Sequence, residues 1–285
     1  MNEPMDADAA AEAIADVANL LTKRLTGDYE VDEFGFDSEL TETLTVPLLR
    51  PLYRKWFRVE VTGLENVPLS GGALLVGNHS GTVAMDALMV QVALFDDHPA
   101  HRHLRLLAAD FVLKAPLLGE YARKTGATLA SNADAERLLD AEELVGVFPE
   151  GVKGTGKPVW DRYKLQRFGR GGFVSTALRT GAPIIPVSIV GAEEIYPLIG
   201  NIPALARLLK LPYFPVTPTF PWLGPLGLVP LPSKWMIHFG EPIDTKDMEH
   251  LADDPLEIFN LADRVKETIA DTLAELLDRR GPAFQ

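Results

Sequence analysis

Short apolar runs alternate with stretches of helical periodicity along most of this chain. Ala73–Val76, Leu104–Ala108, Val145–Phe148, Ile184–Val190 and Trp235–Phe239 are rich in branched side chains and have the length of strands covered on both faces. Between them, Asp86–Phe95, Asp134–Leu144 and Phe173–Thr180 read as helices. This alternation predicts an α/β fold, a largely parallel central sheet with helices on both faces. Ahead of it, Ile14, Val17, Ala18, Leu21 and Leu25 keep helical spacing and stop before Gly27, which predicts an amphipathic helix. Behind it, Asp254 stands as the cap and Pro255 in the first turn of a helix whose apolar face is Ile258, Leu261, Val265, Ile269, Leu273 and Leu276. The expected organisation is an acidic helical segment and linker over 1–45, one α/β domain over 46–245, and a C-terminal helix packed on it over 246–285.

Two stretches fall outside that pattern. Leu48–Arg58 interleaves Tyr53, Trp56 and Phe57 with four bases, which suits either a membrane headgroup layer or a helix packing its aromatics on the domain. Leu211–Ser233 carries no charge but seven prolines, too many for a continuous membrane-spanning helix. Its aromatics, Tyr213, Phe214, Phe220 and Trp222, point to an acyl-chain groove or a lipid-dipping loop; the alternative is a loop folded over the core.

Composition narrows the chemistry. With 285 residues the chain can bury a full core, and with no cysteine it has no disulfide, zinc-thiolate or thiol nucleophile. Met1–Ala11 is acidic and alanine-rich, without the basic and apolar regions of a signal peptide, so a cytoplasmic location is expected. The net charge of −13 is uneven: residues 1–50 hold 12 acids and 3 bases, 241–285 hold 12 and 5, and 51–240 hold 16 and 19. Acidic ends argue against a nucleic-acid partner, while the middle can still hold a local anion site.

Candidate chemistry gathers where strands end. His79 follows the run 74–77 and Asp86 comes seven residues later; a histidine oriented by a carboxylate can take a proton from an alcohol. The expected turn at Ser80-Gly81 opens a helix whose N–H groups keep His79 neutral and could hold an oxyanion, making Ser80 and Gly81 the oxyanion candidates. Gly151, Gly156 and Lys157 fill seven places of a phosphate-loop pattern, but Pro158 in the eighth has no hydroxyl for Mg²⁺. Over 151–180, Lys153, Lys157, Arg162, Lys164, Arg167, Arg170 and Arg179 face only Asp161, and Gly169–Gly172 precedes a helix, which fits a phosphate site or a solvated basic face. His98, His101 and His103 lack a carboxylate at ligand spacing, so no metal is expected. Ser80 is one residue off the nucleophile elbow, which leaves a serine-type lipid hydrolase as an alternative. A non-catalytic lipid or phosphate-binding protein is another.

Taken together these segments resemble the lysophospholipid and glycerolipid acyltransferase family, from Val61–Pro68 to Phe239–Ile243. The resemblance is carried by Asn78-His79, Phe148-Pro149-Glu150-Gly151 and Gly181–Ser188, in that order and spacing. It implies a glycerolipid acyltransferase-like fold and transfer of a fatty acyl group from acyl-coenzyme A or acyl carrier protein to a lysophospholipid hydroxyl. His79 is then the general base and Asp86 its orienter, with no cofactor beyond the thioester co-substrate. Glu150 and Gly151 bind the acceptor with Lys153, and Lys157, Arg167 and Arg170 are further phosphate candidates. Six residues separate His79 from Asp86 where the family has four, Gly126–Ser131 lacks the family's arginine, and Val152-Lys153-Gly154 stands for its Thr-Arg-Ser. The implied enzyme works peripherally on the inner face of a membrane.

Overall fold

Five neighbouring strands run parallel because a helical crossover joins each to the next in sequence. These are β2 (Ala73–Gly77), β3 (Leu104–Ala108), β4 (Ala127–Leu129), β5 (Leu144–Val147) and β6 (Ile184–Val190). Together with β1 (Glu60–Thr62) and β9 (Met236–Phe239) they form a seven-stranded sheet of order β1-β9-β6-β2-β5-β3-β4. β9 is antiparallel to β6 and carries β1 parallel to itself, so one edge of the sheet is reversed. A ribbon of β7 (Gly200–Asn201) and β8 (Pro215–Val216) stands apart. The computed structural model describes residues 7–284; the acidic start, Met1 to Asp6, lies outside the described residues.

Two apolar layers flank the sheet, as its doubly apolar strands require. On one face Leu75, Ile185 and Ile237 pack with Met89, Val90 and Leu94 of the helix Met85–Asp96 and with Tyr53 and Phe57. On the other, Leu74, Val76 and Val145 pack with the helices Asn132–Asp140 and Gly172–Thr180 and with Val265, Ile269 and Leu273 of the helix Pro255–Arg280. The last helix starts as expected, the Asp254 carboxylate accepting from Leu256 and Glu257 N–H.

Chain direction decides where chemistry can sit. From β2 the chain leaves over one face toward β3, and from β5 it leaves over the other toward β6. The C-terminal ends of β2 and β5, paired in parallel register Leu75↔Gly146, therefore border a topological switch point.

Several elements differ from the sequence reading. β1 and β4 have three residues each, too few to show a period. The helix carrying Asp86 begins at Met85, not Ser80. The helix expected over 134–144 runs Asn132–Asp140, because Ser131 caps it and the chain turns before β5. Helical structure is continuous over 38–56, so residue 46 lies inside it. Pro47 and Pro51 lack the N–H for regular bonding, and the run widens into π turns at Thr41–Thr45 and Leu52–Trp56. There Tyr53 and Phe57 follow the packing alternative and are buried, and Arg50 and Arg54 pair with Asp96 and Asp97, while Trp56 is 38% exposed. In the helix Ala7–Thr26 the expected apolar face is mostly exposed at Ile14, Leu21 and Leu25, and Leu20 is the side chain that buries. That helix is tied down by Arg24 on Asp37 and Glu39. Among the described residues no helix is long and apolar enough to cross a membrane.

Candidate active site

His79 stands two residues past β2, and its loop is pinned from three sides. Asn78 is fully buried and acts as an extra rung of the sheet, its Nδ2 donating to Ile189 O (3.0 Å) and its Oδ1 accepting from Ile189 N–H (2.8 Å). Gly81 turns the chain at φ +89°, and a Cβ there would come within 2.6 Å of Ala192 O. Gly154 lies under the loop, where a Cβ would meet His79 O at 2.5 Å.

Asp86 reaches His79 across the six intervening residues. Its Oδ2 lies 2.8 Å from His79 Nδ1 and accepts from Ser80 N–H at 2.8 Å, while Oδ1 takes Ala87 N–H at 2.8 Å. The extra length is taken up by the bend Gly81–Ala84, with Thr82 also at positive φ. An ionised carboxylate only accepts, so the neutral imidazole carries its hydrogen on Nδ1 and presents the Nε2 lone pair. Among the described residues the His79 side chain has one hydrogen-bond partner, Asp86 on Nδ1, so Nε2 faces no protein acceptor or donor, and the side chain is 14% exposed. The ring leans on Phe148, the residue after β5, with centroids 4.8 Å apart.

The Pro149-Glu150-Gly151 turn meets this loop from the neighbouring strand. Glu150 Oε1 accepts from His79 N–H (2.9 Å) and Oε2 from Gln166 N–H (2.6 Å), so its carboxylate is committed to backbone. Lys157 lies behind it, Nζ 3.5 Å from Glu150 Oε2 and 3.0 Å from Glu193 Oε1, all three side chains buried. Burial pushes the Glu193 carboxyl up to about 7, against the pull of Lys157. A second buried pair, Arg280 with Glu194, adjoins Tyr163, whose hydroxyl donates to Glu194 Oε2 (2.6 Å) and accepts from Gly191 N–H (2.9 Å).

The expected site residues therefore divide. His79, Asp86, Glu150 and the Ser80-Gly81 turn come together. Lys157 is not available to a phosphate, because it neutralises two interior carboxylates. Ser80 N–H is not available to an oxyanion, because Asp86 holds it; Gly81 remains. Ser80 Oγ is buried without a hydrogen-bond partner, which leaves it outside the reach a serine nucleophile needs from its base. Lys153, beside Gly154, and Arg167, beside Gln166, are exposed. Arg170 lines a cavity of about 180 Å³ with Pro149, Phe168 and the first turn of the helix 172–180. His98, His101 and His103 are engaged separately, with Val67 O, Phe95 O and Glu42. Among the described residues no group of three or more histidine, cysteine or acidic side chains could hold a metal ion.

Glu193 escaped sequence reading, as did the roles of Asn78, named there only as a motif position, and of Tyr213, named only among the aromatics of 211–233. Tyr213 OH donates to Thr82 O (2.8 Å), fastening the apolar segment 211–233 to the loop between His79 and Asp86. Burial raises its hydroxyl pKa, keeping it a donor at neutral pH.

A family profile described as Acyltransferase matches residues 58–190, which contain His79, Asp86 and Glu150. An uncharacterized protein of Mycobacterium tuberculosis is 59% identical over 275 residues, 96% of this chain and 77% of the relative. A 1-acyl-sn-glycerol-3-phosphate acyltransferase of Borreliella burgdorferi is 26% identical over 149 residues, 51% of this chain and 56% of that protein. The crystal structure of the 1-acyl-sn-glycerophosphate acyltransferase of Thermotoga maritima superposes with a TM-score of 0.53 at 22% identity, covering 85% of this chain and 84% of that one. That likeness shows the α/β fold.

Proposed function

This chain belongs to the acyltransferase family, and we propose that it moves a fatty acyl group from a thioester to a hydroxyl of a lysophospholipid or related glycerolipid. The donor is acyl-coenzyme A or acyl carrier protein, and the enzyme takes its acceptor at the cytoplasmic face of a membrane. One observation carries the reading: a His79–Asp86 pair at 2.8 Å through Nδ1, with Nε2 left without a partner among the described residues, at the sheet's switch point.

The chemistry follows from that lone pair. The acceptor hydroxyl gives its proton to Nε2 as its oxygen attacks the thioester carbonyl. The C–S bond then breaks, and the imidazolium returns the proton to the departing sulfur. Products are an ester and a free thiol, and no covalent enzyme intermediate is needed. Asp86 fixes the ring and offsets its transient positive charge. Gly81 N–H is the oxyanion donor that the turn leaves open, and Lys153, Arg167 and Arg170 are the exposed cations for an acceptor phosphate.

Thiol release from acyl-coenzyme A, followed with a thiol reagent, tests this without background because the chain has no cysteine. Release is expected only when a lysolipid is present, and His79→Ala lowers it ~10²–10⁴-fold. Asp86→Asn falls in the same range, since the amide can stabilise the wrong tautomer. Release without acceptor that Ser80→Ala abolishes would establish a hydrolase instead, and absence of release a binding protein.

A further inference from the structure

The segment that begins at Ile195 exposes far more apolar surface than a loop packed for stability has reason to. From Ile195 to Gly240 there is no aspartate or glutamate, in a chain of net charge −13. Its inner side is firmly seated: Tyr196 OH donates to Leu228 O (2.6 Å), Leu231 N–H to Ile195 O (2.9 Å), and Trp56 Nε1 to Pro230 O (2.9 Å). Its outer side presents Leu208, Leu209, Trp222, Leu223, Leu226 and Leu228 to solvent, with Trp222 at 69% and Leu226 at 72% exposure. An ordered fold that holds a tryptophan and so many leucines outward marks an interaction surface.

Charge and position select the partner. Arg207 and Lys210 bracket Leu208 and Leu209 at the end of the helix Pro203–Leu209, and Arg207 and Lys210 form no ion pair among the described residues. Two bases beside exposed leucines and an outward tryptophan, with no acid over 46 residues, match an anionic lipid interface, whose surface attracts cations and whose boundary takes indole rings. The surface also adjoins the reacting group, because Tyr213 and Tyr196 both bond the Thr82 turn between His79 and Asp86.

We infer that the outer side of residues 199–229 is a lipid-docking platform that seats the protein on an anionic bilayer with the His79 loop at the interface. The inference rests on the acyl-transfer reading only for its purpose, which is to give Nε2 an acceptor that never leaves the bilayer. Trp56, whose indole donates to Pro230 O, supports this platform from the helical run 38–56 and is itself 38% exposed.

The full chain is sedimented with phosphatidylcholine vesicles and with vesicles enriched in phosphatidylglycerol. Binding is expected to be stronger to the second. Trp222→Ser with Leu226→Ser is expected to weaken it about tenfold or more. Arg207→Gln with Lys210→Gln is expected to weaken it about fivefold per charge, on the anionic vesicles alone. All four side chains are on the surface, and unchanged far-ultraviolet dichroism confirms that the variants fold. Thiol release with a micelle-free, short-chain lysolipid is expected to stay at the wild-type rate, which separates docking from catalysis. Vesicle binding without acyl transfer would leave the platform standing and remove the enzymatic reading. Wild-type protein that ignores both vesicle types overturns the platform, as does a dimer in light scattering that the Trp222/Leu226 change dissociates while vesicle binding stays the same.

Discussion

Replacing Lys157 by methionine removes one buried cation from between two buried carboxylates and leaves the chain length almost unchanged. Nζ lies 3.0 Å from Glu193 and 3.5 Å from Glu150, and among the described residues no other cation contacts either carboxylate. Glu150 has backbone N–H partners on both oxygens, but Glu193 keeps only Lys157 as a charged partner. Breaking a buried pair from one side costs ~3–5 kcal/mol, because the surviving charge is neither solvated nor matched. For a chain of this size that corresponds to a fall in Tm of roughly 5–8 °C. Chemical denaturation at about pH 9, above the raised Glu193 value of about 7, gives the number, because at neutral pH the carboxyl takes up a proton instead of standing as a bare charge. The double variant Lys157→Met/Glu193→Gln removes the stranded charge with its partner, and it is expected to recover a large part of the loss. A single variant within ~0.5 kcal/mol of wild type, or a double variant whose loss is the sum of the two singles, would show that the three groups are not coupled and refute this account of the site's floor.

Two further outcomes follow from the same loops. The Glu193 carboxyl is raised to about 7 in the fold from 4.5, so its proton stabilises the folded state fully below 4.5, progressively less up to about 7, and not at all above. The span corresponds to about 3 kcal/mol, and Glu193→Gln is expected to flatten that part of the stability profile between about pH 4.5 and about pH 7; parallel profiles for the two proteins would remove Glu193 as the titrating group. Gly81→Ala places a Cβ 2.6 Å from Ala192 O at a φ of +89°, and a loss of ~1–3 kcal/mol in thermal unfolding is expected, an unchanged Tm meaning that the turn relaxes.

The fold was legible where burial on both sides writes itself as a run of branched apolar residues. β3 and β6 have the bounds their sequences suggest, and the helix ending at Arg280 has the expected cap. What escaped lacks a local signal. β1 and β4 hold three residues apiece, and their pairing is decided by neighbours distant in sequence. The π turns around Pro47 and Pro51 keep a helical period, so only the missing N–H groups hint at them. For the N-terminal helix, periodicity located an apolar stripe, but only contacts with other elements decide which side faces inward, and Leu20 is the residue they cover. The site divides in the same way. His79 and Asp86 were visible because both flank a strand end. Glu193 was not, and Asn78 was seen only as a motif position, because a buried amide or carboxylate looks in sequence like any polar residue beside a turn.

Glu150 changes most in meaning once its partners are known. The family resemblance assigns it to acceptor binding, yet its two oxygens hold His79 N–H and Gln166 N–H, one from each of two loops. One loop carries the lone pair of Nε2; the other continues into Arg167 and Arg170. A carboxylate bridging them fixes the distance between the group that takes a proton and the cations that could hold a phosphate, without touching either ligand. This geometry also accounts for the buried Lys157. A carboxylate sealed at that junction needs a counter-charge, and an exposed lysine would exchange it with solvent and let the loops drift. On the proposed reading, Lys153, Arg167 and Arg170 are the side chains that would choose the acceptor, and Glu150 and Lys157 hold the loops that carry them.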